Sequence, residues 1–257
     1  MRARAGVPEP GARAMPRSAS PAHSDIRIRA ARGWPDEHAE TAPHLPLAAA
    51  ERAELARLAQ IVDFRSPGSQ IFRQGDDAAF IHLLVEGVVR TYRALHNGER
   101  QILAFHWPGD LFGLAEHGKY VSSAETIAAS RVYRFPVAKL ENFLLKNPAI
   151  QDGMRVKAMH DLRNAQRQLI VMGRFDIPRR IAAFLLDCTV HAPYFDPRTQ
   201  ILTLPMTRYD MADYLGTSAE TVTRGLGRLE GEGLLSRVTA RALRLRPDRL
   251  KAFVDLD

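Results

Sequence analysis

Between Leu47 and Ala59, leucine and alanine alternate with Glu51, Arg52, Glu54 and Arg57 at helical spacing. Leu55 and Leu58 fall on one face, so a short helix is expected. The period then shortens to that of strands. Gly68, Gly75, Gly87, Gly98, Gly109 and Gly113 punctuate apolar segments, among them Gln70–Arg73, Ile81–Val85, Val88–Tyr92 and Gln101–Phe105. Short strands with a turn signal about every ten residues predict an antiparallel sandwich or barrel. His96-Asn97-Gly98-Glu99 is the clearest hairpin, because Asn-Gly readily takes the two positive φ values of a type I′ turn.

At Asn147-Pro148 the helical period returns, with Asn suited to an N-cap and Pro to the first helical position. Ala158, Leu162, Ala165, Leu169 and Met172 alternate steps of four and three, the spacing of a coiled-coil seam. Packing of this stripe on the chain's own sheet is the alternative. The length of the run and the polar residues at most other positions favour a second copy of the chain. Gly173 is expected to end the helix, and Asp176 to cap the next one over Pro178–Cys188, where Ile181, Leu185 and Cys188 share a face.

Thr207 to Glu230 reads as two short helices with a corner at Gly216, and Ser218 is a good N-cap for the second, Ala219–Glu230. Met211, Ala212 and Leu215 on the first helix and Val222, Leu226 and Leu229 on the second give each an apolar face for a small shared core. Gly233–Val238 and Ala242–Arg246 follow as two strand-like pieces, the pattern of a wing. They carry Arg237, Arg241, Arg244 and Arg246 with no acidic residue between them.

Charge adds modestly to this picture. The net charge of +7 suits a polyanionic partner, and a hydrophobic fraction of 46% in 257 residues is ample for globular cores. No apolar run approaches the roughly eighteen residues of a membrane span, so no membrane partner and a cytoplasmic location are expected. The single cysteine, Cys188, excludes an intrachain disulfide and any all-cysteine metal site within one chain. Residues 1–45, rich in Arg, Ala, Pro and Ser, are expected to form a disordered tail. The remaining boundaries expected are a β-roll at 46–146, a dimerisation helix at 147–173 and a DNA-binding unit at 174–257. No kinase glycine loop, phosphate-binding loop or metal-ligand pair at helical spacing appears, so no enzyme and no cofactor are expected. An architectural or regulatory binding module without promoter specificity is the alternative of another class.

The second helix of the corner gathers Glu220, Thr223 and Arg224 at i, i+3 and i+4 near its N-terminus, the end a recognition helix offers to base edges in the major groove. Arg224 can give two hydrogen bonds to guanine O6 and N7. Glu220 can accept from a cytosine amino group and hold the guanidinium. As a bare surface pair they would be worth only a few tenths of a kcal/mol. Phosphate contacts are expected from Thr217, Ser218, Thr221 and Arg228 around this helix and from Arg237 and Arg241 in the wing.

The order of these parts resembles the Crp/Fnr superfamily of bacterial transcription regulators. The resemblance runs from residue 47 to the end of the chain. It rests on Ile71-Phe-Arg-Gln-Gly-Asp76, Pro108-Gly-Asp-Leu-Phe-Gly-Leu114, Asn147-Pro148, Asp210-Met-Ala-Asp-Tyr-Leu-Gly216 and Glu220-Thr-Val-Thr-Arg224. It implies an α+β fold: an N-terminal cyclic-nucleotide-binding-like antiparallel β-roll, a long dimerisation helix and a C-terminal winged helix-turn-helix. Ala219 stands where cyclic-AMP-receptor-type members have Arg. Glu220, Thr223 and Arg224 match the Fnr and FixK branch, except that Thr223 replaces a Ser. The resemblance therefore implies a homodimer on double-stranded promoter DNA with TTGA-type half-sites, and activation through contact with RNA polymerase.

The input is less legible. In cyclic-nucleotide binders a Glu follows the Phe-Gly pair and an Arg neutralises the phosphate; here Leu114 and Ser122 stand at those places, so cyclic AMP is not the expected ligand. The Fnr iron–sulfur cysteines are missing, since no cysteine precedes Cys188. Haem or another small ligand remains the alternative, because His82, His96, His106 and His117 fall within the roll. Cys188 reads as a buried core residue, with a redox switch as its alternative.

Overall fold

The computed structural model describes residues 26–30, 44–95, 98–191 and 193–254. After α1 (Ala49–Leu58), ten strands follow: β1 (Gln60–Phe64), β2 (Gln70–Phe72), β3 (Phe80–Glu86), β4 (Val89–Ala94), β5 (Arg100–His106), β6 (Leu111–Phe112), β7 (Ala115–Glu116), β8 (Lys119–Tyr120), β9 (Ser123–Thr126) and β10 (Ser130–Pro136). They pair antiparallel in the orders β1-β10-β3-β6 and β2-β9-β4-β5, with β7-β8 as a separate ribbon. This is the β-roll that the glycine-punctuated pattern predicted. Gly87 shows why the punctuation is glycine. Its φ is +88°, and a β-carbon there would stand 2.3 Å from the Ala129 carbonyl oxygen, so no other residue fits the turn. The His96-Asn97 half of the expected hairpin turn lies outside the described residues.

The polar-looking N-terminus departs from expectation. Residues 26–30 are not a disordered tail: Ile26 and Ile28 are buried with Leu45, Leu55, Phe135, Leu140 and Phe143. Arg29 donates its backbone N–H to the Gly109 carbonyl at 2.7 Å and its Nη2 to the Pro108 carbonyl at 3.0 Å. Two isoleucines at i and i+2 suffice to fill one face of a short extended segment, a signal too brief to stand out from the surrounding composition. The rest of the expected tail, 1–25 and 31–43, lies outside the described residues.

A further helix not expected from the sequence, α2 (Val137–Lys146), buries Leu140 and Phe143. The long helix α3 (Pro148–Arg174) begins where expected, but Asn147 does not cap it through its side chain. Its Nδ2 instead donates to the Phe143 carbonyl at 2.8 Å, closing the end of α2. Gly173 does not stop α3, which runs on to Arg174. Asp176 does cap α4 (Ile177–Cys188), accepting from the Arg179 N–H at 3.1 Å. The chain continues with β11 (Phe195–Asp196), β12 (Ile201–Thr203), α5 (Arg208–Leu215), α6 (Ala219–Gly231), β13 (Leu235–Arg237), β14 (Ala242–Leu245) and α7 (Pro247–Val254). The last four strands form one antiparallel sheet in the order β11-β12-β14-β13. One hydrophobic cluster runs without a break from Ile102, Phe105 and Trp107 of the roll into α4, α5, α6 and the wing sheet.

Candidate nucleic-acid interface

The corner is built by local chemistry. Thr207 Oγ1 accepts from the Asp210 N–H at 3.1 Å while Asp210 Oδ2 accepts from the Thr207 N–H at 2.9 Å, a reciprocal cap that starts α5. Gly216 ends α5 at φ +64°, in the left-handed region. Ser218 Oγ then accepts from the Thr221 N–H at 3.2 Å and starts α6. Met211, Ala212 and Leu215 of α5 and Val222, Leu226 and Leu229 of α6 are buried together over α4, as their spacing required.

The opposite face of α6 is free. Glu220, Thr223 and Arg224 are all exposed. The Glu220 carboxyl is held below the usual carboxylate range by its own backbone N–H first, then by the Ser218 hydroxyl and the nearby Arg224, so it presents an ionised acceptor. Thr223 Oγ1 donates to the Ala219 carbonyl at 2.9 Å, which leaves the oxygen lone pairs, and not the proton, for an incoming base. Arg224 is held by Thr221, a residue expected only to contact phosphate: the arginine Nη2 donates to Thr221 Oγ1 at 3.0 Å. Thr221, not Glu220, is the hydrogen-bonded support of that guanidinium.

The expected phosphate residues fall into two groups. Ser218 and Thr221 sit at the α6 N-terminus, where N–H groups and the helix dipole favour an anion, and half-buried Thr217 lies just before it. Arg228 is engaged farther along, with Glu232 at 2.8 Å and Asp176 at 3.7 Å. Arg237 pairs with Glu230 at 3.4 Å, and its Nη2 lies 3.8 Å from where a side chain on Gly227 would begin, so it lies across α6. Arg241 is exposed, and among the described residues its guanidinium forms no ion pair. Arg208, not among the expected contacts, joins this pole. Its Nη2 donates to the Ala240 carbonyl at the wing tip at 3.2 Å, and burial first, then Arg237, depresses its pKa. Its place as the first residue after the Thr207 cap was the available signal.

Along α3, Ala158, Leu162, Ala165 and Leu169 are exposed on this single chain, Leu162 at 52% and Leu169 at 73%. Val156, Met159 and Ile170 are also exposed on α3, but helical periodicity turns them away from that stripe. Met172 is half-buried, its Cε 2.8 Å from where a side chain on Gly216 would begin. Cys188 is buried, and burial first, then Asp187, pushes its thiol pKa well up, an environment that suppresses thiolate chemistry. In the roll, His82 and His106 both lie against the Phe112 ring, while His117 is exposed in the β7–β8 turn. His96 lies outside the described residues. A cavity of about 340 Å³ opens between β5, the Gly113–Leu114 turn, α3 and α4.

A roll, a long helix and a winged corner whose reading face is open define a DNA-binding regulator of the Crp type. Comparison with known proteins agrees: a Crp-like helix-turn-helix domain matches residues 179–253 and a cyclic nucleotide-binding domain matches 64–147. The nitrogen fixation regulation protein FixK of Bradyrhizobium diazoefficiens is 33% identical over 80% of this chain and 87% of its own length. The transcriptional activatory protein AadR of Rhodopseudomonas palustris is 34% identical over 80% and 86%. The structure of FixK2 from Bradyrhizobium japonicum superposes with a TM-score of 0.70 at 31% identity, covering 77% of this chain and 98% of that one. The chain belongs to the Crp/Fnr superfamily, in its FixK-like branch, and is a DNA-binding transcription regulator.

Proposed function

We propose that the chain acts as a homodimer that reads a palindrome with TTGA-type half-sites, activates transcription through contact with RNA polymerase in the cytoplasm, carries out no catalysis and needs no cyclic AMP. The open face of α6, with ionised Glu220 beside a supported Arg224, carries this reading. The apolar stripe on α3 supports pairing of two chains, which would present two such helices about one DNA turn, roughly 34 Å, apart. Against cyclic AMP stands the cavity itself. Among its lining residues only Arg167 is a strong base, and it is paired with Asp187 at 2.5 Å, with a second carboxylate, Asp161, on the same wall. Asp161 is in turn paired with Lys157 at 2.5 Å, so a phosphate there would find every nearby cation already engaged by a carboxylate. The test is a titration of a duplex bearing the TTGA palindrome with parent and Arg224→Ala protein: the parent binds with and without cyclic AMP alike, and the variant loses about 1–3 kcal/mol per half-site. Equal binding by parent and variant would remove the assignment.

A second reading, gating by a small uncharged ligand, is favoured by the same cavity, whose walls include Leu103, Phe105, Trp107, Phe184 and Tyr214. Purified protein that binds its palindrome fully without any added or co-purifying small molecule would exclude it.

A further inference from the structure

The α5 helix is held against the roll by charges that the DNA-reading chemistry does not use. On the roll, Arg90 of β4 donates Nη2 to Glu125 Oε2 of β9 at 2.5 Å and Nη1 to Asp210 Oδ1 of α5. Arg100 of β5 reaches the same Asp210 oxygen at 3.2 Å and Asp213 Oδ2 at 2.5 Å. Gln101 Nε2 donates to the carbonyls of Asp213 at 2.6 Å and Tyr214 at 3.3 Å. The Phe105 ring lies beside Tyr214 at 5.2 Å and Phe184 at 5.8 Å. The Asp210 side chain is 3% exposed and that of Arg90 13%, so these are desolvated pairs whose partners cannot be lost without leaving a buried charge. The two oxygens of Asp210 divide their work: Oδ2 closes the cap that starts α5, and Oδ1 accepts both roll arginines.

We propose that Arg90 and Arg100, with Asp210 and Asp213, form a clamp that positions the DNA-reading unit: they fix the attitude of α5, and through the shared core that of α6, relative to the roll and α3. None of the four covers the reading face, since Glu220, Thr223 and Arg224 remain exposed while the clamp is closed. The closed clamp is thus compatible with DNA reading. A hinged unit that had to find its angle on each half-site would lose the entropy of that search on binding, whereas a clamped one does not. In a pair of chains this appears as discrimination of half-site spacing, because two rigid reading heads match one separation and two loose heads match several. The proposal rests on the two-copy palindrome reading above.

The test uses full-length parent, Arg100→Ala, Asp213→Ala and the double variant. Asp213 is preferred to Asp210 because it closes no helix cap, and its side chain is 27% exposed. Each protein is titrated against a duplex with two TTGA-type half-sites at the spacing the parent prefers, and against one with two base pairs inserted between them. The expected result is a parent that favours the first duplex. Each single variant loses affinity for that duplex on the order of tenfold, with little change on the second, so discrimination collapses. The double variant is no worse than either single one, as coupled partners require. Thermal melting separates this from a loss of fold, which would lower binding to both duplexes together. Parent-like discrimination in both single variants, a gain in affinity, or strictly additive effects would overturn the clamp while leaving the palindrome reading intact. A parent indifferent to spacing would overturn the palindrome reading and the clamp with it.

Discussion

Ile181 Cδ1, on α4, lies 2.4 Å from the point where a β-carbon on Gly225 of α6 would stand. The recognition helix therefore crosses its support in close contact, one residue after Arg224, where any larger residue requires the Ile181 side chain to shift. Two effects compete at this position. Alanine in place of a mid-helix glycine gains about 1 kcal/mol of helix propensity, whereas overfilling a packed core costs roughly 1–3 kcal/mol. Ile181 is wholly buried, so its side chain must repack within the core, and crowding should win. Gly225→Ala is expected to lower stability by about 1 kcal/mol net. Adding Ile181→Val, which deletes the offending methyl, should return most of that loss. Urea denaturation of the four proteins of this cycle checks it, and a Gly225→Ala protein as stable as the parent would refute it.

Thr221 supports Arg224 through a neutral side-chain acceptor, so removing the hydroxyl should loosen the guanidinium without removing it. Thr221→Val is expected to weaken binding to the palindrome by about 0.5–1.5 kcal/mol per half-site. That is less than Arg224→Ala, and base preference at the contacted pair should relax in the same direction. Fluorescence anisotropy against matched and single-substitution duplexes measures both effects. Unchanged affinity would mean that DNA itself orients the guanidinium.

Burial first, and Arg134 second, depress the pKa of His82 to about 4, among the rings of Phe72, Phe112 and Tyr120. An unfolded His82 takes up its proton near its ordinary value of 6.5, while the folded one resists until about 4. Between those values the unfolded chain binds more protons. Stability should therefore fall as pH drops from about 6.5 to about 4, by on the order of 3 kcal/mol from this residue, and level off below. His82→Gln should show a smaller loss than the parent over that window in thermal melts at pH 7, 6 and 5. Parallel pH profiles would argue against a neutral buried imidazole.

Arg241 stands exposed in the wing, whereas Arg237 would have to give up its Glu230 partner before it could meet a phosphate. Arg241→Ala should weaken binding to all sequences about equally and reduce the salt slope of log K by about 1 per chain. Titrations at several salt concentrations read the slope. A parent-like slope would place the wing tip away from the backbone.

The helix-turn-helix was legible because every signal for it is local. Thr207, Gly216 and Ser218 each fix backbone within three residues of themselves, and the buried stripe of α6 follows the period of one helix. The same holds for the glycine turns of the roll. What the sequence concealed is non-local or shared. Nothing near Arg100 announces that its partners lie at Asp210 and Asp213, more than a hundred residues away. Charge and i,i+4 spacing both make Glu220 the natural support of Arg224, yet the guanidinium bonds the neutral hydroxyl of Thr221, three residues before it. The Asn147-Pro148 pair was ambiguous for a related reason. An asparagine between two abutting helices can serve either, and here it closes the first.

The segment Ile26–Ala30 also bears on how the protein should be handled. A shortened version starting at Leu47, where recognisable pattern begins, would strip two buried isoleucines from the cluster around Phe135 and Phe143. It would also withdraw the Arg29 N–H from the Gly109 turn, which itself hydrogen-bonds β3 through the Leu84 carbonyl. Each isoleucine accounts for about 1.5–3 kcal/mol of burial. Trimming residues 26–30 for crystallisation or binding assays would thus unroof the β-roll, and any weakness in DNA binding by such a fragment would report damage to its core, not a change at α6.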